Sequence, residues 1–499
     1  MLTTTFFLRG MTRSGLRATQ RTQTIAQHMM STIASEVPEQ TVLFEAHESL
    51  RKFTLNRQTK LNALDENMLS LLRPKVEEWS ASDLCGTIVG TGAGRAFCCG
   101  GDVALVMKNA VSPSTRSKAI DYFKREFEMD YILAALKKPY IAVMDGITLG
   151  GGVGLAANAP FRIATENTLF GMPETKIGYC PDVGASYFLS RLDGELGTYL
   201  ALTSDTLRGR AVFELGCATH YIPSRRVSML IDRLSALDKP HPSVIDQTIE
   251  EFSSERQPEE PPTPFTGSAR VALDFAFRHH TVEGIIANLQ VLANNKDSAI
   301  RDFATTTLRK LEIRSPTSLK VALRAIRKGK NMTLLEALNM ELKMATAFCN
   351  QATPDFNTGV KAVIIDKTHK EGERPDWGPA TLDEVTDDLV DRFFSPTSTY
   401  LASAPKLEVP EHLIHRLPQP SQFALPTEAE IREAVVGSHE SGGATSLRLE
   451  ELVSRFVHLR QGKLGVKEKV LEVARRKCDL KDNADGNAVW LRWRDERSL

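Results

Sequence analysis

Residues 146–154 read Gly-Ile-Thr-Leu-Gly-Gly-Gly-Val-Gly, and the fold class of the chain is inferred outward from this stretch. It follows the apolar run Tyr140–Met144, which has the composition of a buried strand, and it leads into a helical pattern over Gly152–Ala157. Glycine lets a backbone approach a ligand closely with its N–H groups pointing at it. At a helix start those N–H groups have no partner within the helix, and the helix dipole favours negative charge. The stretch therefore predicts a loop that can hold a polarised or negatively charged oxygen.

Another glycine loop comes first in chain order, after the strand predicted over Thr87–Gly90. It reads Ala-Phe-Cys-Cys-Gly-Gly-Asp over residues 96–102. One N–H group from each loop could hold a carbonyl oxygen that becomes an oxyanion, as acyl-transfer chemistry requires. Taken alone, either loop could equally be an ordinary turn, so the residues leave both interpretations open.

Two carboxylates follow in surroundings that are unusual for charged side chains. Glu174 lies in Met-Pro-Glu-Thr over residues 172–175, and Asp182 lies in Cys-Pro-Asp-Val-Gly over residues 180–184. Both stand among apolar residues and glycines, and acidic side chains are rarely buried without a reason. Either they cap helices or they perform acid–base or nucleophilic work.

The chain lacks the motifs of several other enzyme classes. It contains no GxxxxGK[ST] phosphate loop, no GxSxG nucleophile elbow, no HExxH zinc motif and no GxGxxG after a strand. Its seven cysteines form no CxxC pair and show no zinc-ligand spacing, which favours free thiols in a reducing compartment. These observations weigh against a serine-triad hydrolase and a Rossmann dehydrogenase.

Taken together, the motifs resemble those of the crotonase superfamily. The two glycine loops and the segments around Glu174 and Asp182 stand in the superfamily's order and spacing, preceded by Leu-Asn-Arg over 55–57 and Leu-Asn-Ala-Leu over 61–64. The form is specifically similar to the 3-hydroxyisobutyryl-CoA hydrolase family. The similarity runs from about Val42 to Phe394, and the residues from Pro396 onward have no counterpart in the common form of that family.

The resemblance implies an α/β fold in which a crotonase-like spiral of ββα turns forms the core. A helical C-terminal region and an extra helical tail would follow this core. The residues alone leave open whether the alternating strands and helices form such a spiral or a doubly wound sheet. We expect a mitochondrial transit peptide over 1–35, a core with the CoA thioester site over 40–240, a helical part of the family domain over 268–396 and a basic helical extension over 397–499.

The resemblance also implies an activity, namely hydrolysis of 3-hydroxyisobutyryl-CoA to 3-hydroxyisobutyrate and CoA in valine breakdown. It implies that the thioester carbonyl oxygen accepts hydrogen bonds from the N–H groups of Gly101 and Gly151, with Glu174 as the principal catalytic carboxylate. Asp182 would act beside Glu174, and Glu126 would help to line the acyl pocket. No metal or cofactor is implied, because CoA is part of the substrate, and the family leads us to expect a homo-oligomer.

The sequence departs from related enzymes at several positions. Enoyl-CoA hydratases carry a second catalytic glutamate where this chain has Gly154, and they have glycine in place of Asp182. Hydration needs one group to take a proton and another to give one, so hydration or isomerisation is the weaker alternative. Within the hydrolase family, Ala185 and Ser186 replace glycines and Gln58 replaces a proline, and these changes bear on substrate preference.

The first 35 residues differ in composition from the rest. They contain no Asp or Glu, and arginine recurs at every fourth residue from Arg9 to Arg21. A basic, hydroxyl-rich and acid-free start is typical of a mitochondrial transit peptide, so we expect a location in the mitochondrial matrix.

The tail is basic although the whole chain is neutral. Lys and Arg number 62 in total, as do Asp and Glu, but residues 447–481 hold ten basic and five acidic side chains. Short helices are predicted over Glu428–Val436, Leu449–Leu459 and Lys467–Arg476. The basic excess is either a solvated face or a surface that docks on RNA. Because fungal-type relatives associate with the small subunit of the mitochondrial ribosome, a structural role there is the second hypothesis, with a tail that hydrolysis does not need. No apolar run is long enough to span a membrane.

Overall fold

The computed structural model describes residues 40–367, 372–416, 418, 421–438, 447–482 and 489–494. The predicted transit peptide lies outside these residues. The strands β1–β13 span Val42–His47, Leu50–Leu55, Thr87–Gly92, Ala96–Cys98, Tyr140–Met144, Ile147–Leu149, Phe161–Ala164, Leu169–Gly171, Thr206–Arg208, His220–Tyr221, Leu447–Arg448, Cys478–Asp482 and Val489–Trp493.

Helices cover the chain between and beyond these strands. The α-helices α1–α20 span Glu66–Ala81, Val103–Val111, Arg116–Ala135, Gly151–Ala157, Ala185–Phe188, Leu196–Thr203, Arg210–Glu214, Val227–Ser235, Pro242–Glu250, Gly267–Phe277, Val282–Leu292, Ser298–Glu312, Pro316–Gly329, Leu334–Cys349, Asp355–Val360, Asp387–Asp391, Glu411–Ile414, Glu428–Val436, Leu449–Leu459 and Val466–Lys477. A short 3-10 helix covers Glu174–Ile177, and a π-helix covers Lys361–Ile365.

From β3 to β8, consecutive strands alternate between two sheets. The larger sheet has the order β1-β2-β3-β5-β7-β10, and its strands are parallel apart from the β1–β2 pair. The smaller sheet has the order β4-β6-β8-β9, in which β4, β6 and β8 run parallel. Each turn of the chain therefore places one strand in each sheet before a helix or loop returns it. This is the ββα spiral, and it decides the question that the residues alone left open.

The smaller sheet brings the predicted site segments together. The first glycine loop follows β4, the second follows β6, and the segment with Glu174 follows β8. Because these strands are parallel, their carboxyl ends meet at one edge of the sheet, where α/β proteins commonly bind ligands. Segments that are far apart in sequence therefore become neighbours.

Local signals explain several helix boundaries. Ser315 caps α13, with its side chain accepting a hydrogen bond from the Ser318 N–H at 2.9 Å. Pro74 lies inside α1, and α1 continues through it without a restart. The carbonyl that loses its partner to Pro74 belongs to Ser70, which is exposed, so water can bind it instead.

The tail packs on the rest of the molecule. Leu452, Phe456 and Val470 are fully buried in the main hydrophobic core. Phe423 stacks on Phe161 of the larger sheet with ring centroids 4.7 Å apart. The predicted helices α18 and α19 are confirmed to the residue, and α20 extends one residue further at each end. No strands were predicted in the tail, where the structure has the sheet of β11, β13 and β12.

Many basic side chains of the tail form ion pairs with the residues they pack against. Lys463 is buried, and its Nζ lies 2.8 Å from Glu250, 3.0 Å from Asp246 and 2.7 Å from the His220 Nε2 atom. Burial and the Lys463 charge lower the pKa of His220 to about 4, so the imidazole is neutral. Arg476 pairs with Glu428 and Glu472 in a second buried cluster. Such packing argues against the expectation that hydrolysis survives removal of the tail.

We therefore expect Phe456→Ala to destabilise the whole molecule, by about 3–5 kcal/mol of unfolding free energy, because it leaves a cavity in the shared core. Leu459→Ala on the same helix is the control, since Leu459 is 38% exposed. Chemical denaturation followed by fluorescence and circular dichroism measures both variants. An early, separate transition for Phe456→Ala with the main transition unchanged would mean that the tail folds independently.

Candidate active site

The two glycine loops face each other at the edge of the smaller sheet. A Cβ atom built on Gly151 would lie 3.4 Å from the Gly101 nitrogen and only 2.1 Å from the Glu126 Oε1 atom. A Cβ atom on Gly101 would lie 2.5 Å from the Tyr122 hydroxyl. Both positions thus require glycine, because any side chain would displace groups that line the same space.

The amides of Gly101 and Gly151 are available to a ligand. Within the described residues, neither N–H group donates a hydrogen bond to a protein acceptor. Gly151 is the first residue of α4, where the helix leaves its N–H groups unpaired. Two free N–H groups this close together form a pocket for one oxygen that carries negative charge.

The motif around Asn62 fixes the first loop. The Asn62 side chain is fully buried and donates hydrogen bonds to the carbonyl oxygens of Ala93 at 2.9 Å and Ala96 at 2.7 Å. Leu64 bonds to both sides of the loop, accepting from the Asp102 N–H and donating to the Gly100 carbonyl, each at 2.8 Å. These bonds explain why the Leu-Asn-Ala-Leu segment accompanies the loop.

Glu174 begins the short 3-10 helix after β8. Its side chain is buried, and its Oε2 atom has no hydrogen-bond partner among the described residues. A Cβ atom built on Gly150 would lie 2.9 Å from the Glu174 Oε1 atom, which places this carboxyl beside the second glycine loop. Burial raises the pKa of Glu174 to about 8, and the nearby Glu126 charge contributes to the rise. A carboxylate with a raised pKa is a better base or nucleophile once it is ionised.

Two further carboxyls complete the group. The Tyr122 hydroxyl lies 3.2 Å from the Glu126 Oε1 atom, and the Tyr179 hydroxyl donates to Asp182 Oδ2 at 3.0 Å. Burial raises the pKa of Glu126 to about 8. Burial, together with the charges of Glu126 and Glu174, raises the pKa of Asp182 well above its usual value. Several negative charges cannot coexist in one buried site, so part of the group holds protons near neutral pH.

All five predicted site residues line one cavity of about 220 Å³. Gly101 and Gly151 lie on it together with Glu126, Glu174 and Asp182. The rest of its wall is mainly apolar and includes Val103, Val106, Phe123, Ile177, Phe356 and Ile364. Ile364 belongs to the π-helix Lys361–Ile365, a type of helix often found at functional sites. The cavity therefore suits a short acyl group better than a long chain.

Position 154 is closed to a longer side chain. A Cβ atom on Gly154 would lie 2.6 Å from the Val183 Cβ atom and 2.7 Å from the Asp130 Oδ2 atom. A glutamate there would require both neighbours to move. The structure thus agrees with the sequence that the second carboxylate of a hydratase is missing here.

Comparison with known proteins agrees with this geometry. The family model described as enoyl-CoA hydratase/isomerase matches residues 50–394. The chain belongs to the enoyl-CoA hydratase/isomerase family. This result confirms the resemblance that the motifs indicated.

Relatives in this family carry two kinds of name. The mitochondrial 3-hydroxyisobutyryl-CoA hydrolase of Homo sapiens is 38% identical over 76% of this chain and 95% of its own length, and that of Rattus norvegicus is 37% identical over 77% and 95%. The small ribosomal subunit protein mS47 of Neurospora crassa is 40% identical over 93% of this chain and 90% of its own length. A match over 93% of the chain must include most of residues 397–499. These names support a mitochondrial location.

Solved structures share the fold. A carnitinyl-CoA dehydratase from Mycobacterium thermoresistibile has a TM-score of 0.63 at 29% identity and covers 73% of this chain and 98% of its own. An enoyl-CoA hydratase from Rhodobacter sphaeroides has a TM-score of 0.62 at 28% identity and covers 72% and 99%. Together with the family match, they confirm the crotonase-like fold.

Sequence reasoning missed several residues around the site. Asp130 is buried, and neither of its oxygens has a hydrogen-bond partner in the described part of the chain. Glu341 is fully buried against the segment that follows Asp182. Asp130 could have been found, since it lies one helical turn after Glu126 and so shares a face of α3 with it. Glu341 gave no signal, because an acidic residue within a helix is usually exposed.

The described part of the chain holds neither a metal-binding cluster nor a membrane-spanning helix. No group of three or more His, Cys, Asp or Glu side chains is arranged to hold a metal ion. No helix there is both long and apolar enough to cross a bilayer. All seven cysteines are unpaired, and six of them are buried.

The raised pKa of Glu174 predicts the pH dependence of any reaction that needs its ionised form. We expect kcat/KM to fall on the acid side of about pH 8, roughly tenfold per pH unit, instead of near pH 4.5. Glu126→Gln removes a negative charge that raises the pKa of Glu174, so it should shift this fall in kcat/KM to lower pH. CoA release from pH 6 to 10 measures the profile, with the rate of a Glu174→Gln blank subtracted. A kcat/KM that stays constant from pH 8 down to pH 6 would contradict the expectation.

Proposed function

We propose that the chain hydrolyses 3-hydroxyisobutyryl-CoA to 3-hydroxyisobutyrate and CoA in the mitochondrial matrix, as a step of valine breakdown. One observation carries this proposal: the free amides of Gly101 and Gly151 and the carboxyl of Glu174 line one small cavity, while position 154 has no carboxylate. Relatives with this activity in their names match three quarters of the chain.

The proposed reaction begins with the thioester carbonyl oxygen between the two glycine amides. As the carbonyl carbon is attacked, negative charge develops on that oxygen, and the amides of Gly101 and Gly151 stabilise it. Glu174 is the activating group, and two routes are open to it. It attacks the carbon to give a mixed anhydride that water then hydrolyses, or it removes a proton from a water molecule that attacks directly. In both routes the C–S bond breaks, and the thiolate of CoA leaves and takes up a proton.

We assign recognition of the substrate hydroxyl to Asp182. Its carboxyl lines the apolar cavity and is bonded to the Tyr179 hydroxyl through Oδ2, which leaves Oδ1 for a substrate group. A buried polar group without a partner costs about 1–3 kcal/mol, so an acyl chain without the hydroxyl should react roughly 10- to 100-fold more slowly. We propose that no metal or separate cofactor takes part.

The site fits hydration of an enoyl-CoA less well than it fits thioester hydrolysis. It needs two carboxyls that flank a double bond, and position 154 lacks one of them. Asp130 and Val183 fill the space that a glutamate side chain would need there. Hydrolysis needs only the oxyanion pocket, one activating carboxylate and water.

A second role is supported by the tail. The mS47 protein of Neurospora crassa matches most of this chain, tail included, whereas the hydrolases of Homo sapiens and Rattus norvegicus match about three quarters of it. We therefore propose association with the small subunit of the mitochondrial ribosome, in addition to catalysis. Lys467 and Arg475 are exposed and lie two helical turns apart on one side of α20, where they could contact RNA phosphates.

The hydrolase proposal is tested by Glu174→Gln, which keeps the size of the side chain but removes the base or nucleophile. We expect kcat for 3-hydroxyisobutyryl-CoA to fall by at least ~100-fold, with an unchanged Kd for CoA. Glu259→Gln, an exposed position, is the matched control. CoA release is measured with 3-hydroxyisobutyryl-CoA and isobutyryl-CoA, and loss of enoyl absorbance with crotonyl-CoA. An active Glu174→Gln enzyme, or rapid hydration with little CoA release, would refute the proposal.

The ribosomal role is tested by reversing the exposed charges with Lys467→Glu and Arg475→Glu together. We expect this variant to leave the small-subunit fraction in sucrose-gradient sedimentation of mitochondrial lysates, with hydrolysis unchanged, because phosphate contacts depend on positive charge. Lys296→Glu with Lys330→Glu changes the net charge equally at exposed positions elsewhere. If the wild-type chain sediments only as free protein, the ribosomal role is wrong.

A further inference from the structure

Asp182 stands at the start of a backbone turn that is strained. The next residue, Val183, has φ +53°, and Gly184 has φ +86°. Glycine adopts the left-handed region easily, but a β-branched residue there is a rare and costly conformation. Surrounding contacts must therefore hold Val183 in place, and the direction of Asp182 depends on them.

The main contact comes from Glu341, on helix α14. Its side chain is fully buried and accepts three hydrogen bonds from the turn. The Oε2 atom accepts from the Gly184 N–H at 2.6 Å, and the Oε1 atom accepts from the Ser186 N–H at 2.8 Å and the Ser186 hydroxyl at 2.5 Å. Donors about 155 residues earlier in the chain thus bind both carboxylate oxygens. These three hydrogen bonds from Gly184 and Ser186 to Glu341 form a clamp on the turn.

Two further contacts close the turn from other sides. A Cβ atom on Gly329 would lie 2.1 Å from the Ser186 carbonyl oxygen, so helix α13 packs directly on the backbone there. The Val183 Cβ atom packs against Gly154 of α4. The Ala185 N–H bonds back to the Asp182 carbonyl at 2.8 Å, which ties the clamped segment to Asp182 itself.

We propose that Glu341 is a positioning residue for Asp182 and, through it, determines the preference for an acyl chain that carries a hydroxyl group. This inference rests on the proposed function, in which Asp182 binds that hydroxyl. Asp182 lines the cavity, but Glu341 does not, so Glu341 acts through Asp182 and its turn and not by touching the substrate. Ser186, which replaces a glycine of the hydrolase family, supplies a hydroxyl bond to this clamp that glycine could not.

The proposal is tested with Glu341→Gln, which preserves the shape of the side chain. An amide has one oxygen and one NH₂ group, so either Gly184 or Ser186 would face a donor in place of an acceptor. We expect the ratio of kcat/KM for 3-hydroxyisobutyryl-CoA to that for isobutyryl-CoA to fall by at least ~5-fold. The rate with isobutyryl-CoA should change by less than ~3-fold, because the oxyanion pocket and Glu174 stay in place.

Two variants separate positioning from a general loss of structure. Ser186→Ala removes one bond of the clamp and keeps both backbone bonds, so it should lower the same ratio by a smaller factor. Glu312→Gln changes an exposed glutamate and should leave the ratio unchanged. If Glu341→Gln does not fold, as judged by circular dichroism, Ser186→Ala decides the question.

A double-mutant cycle links Glu341 to Asp182. In an Asp182→Ala background, which lacks the group that binds the hydroxyl, Glu341→Gln should not reduce the ratio further. The proposal is overturned if Glu341→Gln slows both substrates by the same factor, or if its effect on the ratio persists in the Asp182→Ala background. A normal ratio in the single Asp182→Ala variant would instead refute the assignment of Asp182 within the proposed function.

Discussion

Parallel pairing of three very short strands is the constraint on which the site depends. Strands β4, β6 and β8 contain three residues each, yet they bring together loops from residues 99–102, 150–154 and 172–175. Strands this short contribute little pairing energy, so the larger sheet and the surrounding helices must hold them in register. Most of the chain serves to fix the positions of these three loops. Where the loops meet determines which side chains and amides lie together at the site.

The second constraint is the burial of acidic groups. Glu126, Glu174, Asp182 and Glu341 all lie within one apolar region, where an isolated negative charge is costly. Hydrogen bonds from tyrosines and backbone amides compensate part of this cost, and bound protons compensate the rest. The free energy of unfolding and the amount of ionised Glu174 therefore change in opposite directions with pH. Because the folded chain binds the Glu174 proton more tightly than the unfolded chain, stability falls as the pH rises from about 4.5 to 8, while the reactive form accumulates.

Sequence patterns predicted the parts of the structure that are encoded locally. The strand Tyr140–Met144 and the tail helix Leu449–Leu459 follow from composition and periodicity. The five predicted site residues line one cavity. Four of them stand in motifs with glycine or proline beside them, whereas Glu126 came only from the family resemblance. Asp130 and Glu341 were missed because their roles come from contacts with distant segments. The buried pairing of Lys463 was hidden for the same reason, since a lysine in a basic segment looks like any solvated residue.

The clamp on the turn after Asp182 has a consequence for the order of assembly. Glu174 and Asp182 lie in the first half of the chain, whereas the helix that carries Glu341 lies beyond residue 333. A chain made or threaded through a membrane from its amino terminus therefore presents the reactive carboxyls well before the group that orients them is available. Completion of the pocket becomes a late, long-range event in folding, and such contacts form slowly because a long loop must close first. In the proposed mechanism, truncated or half-folded chains would contain the reactive residues without the selectivity, which would arise only when the C-terminal helices dock.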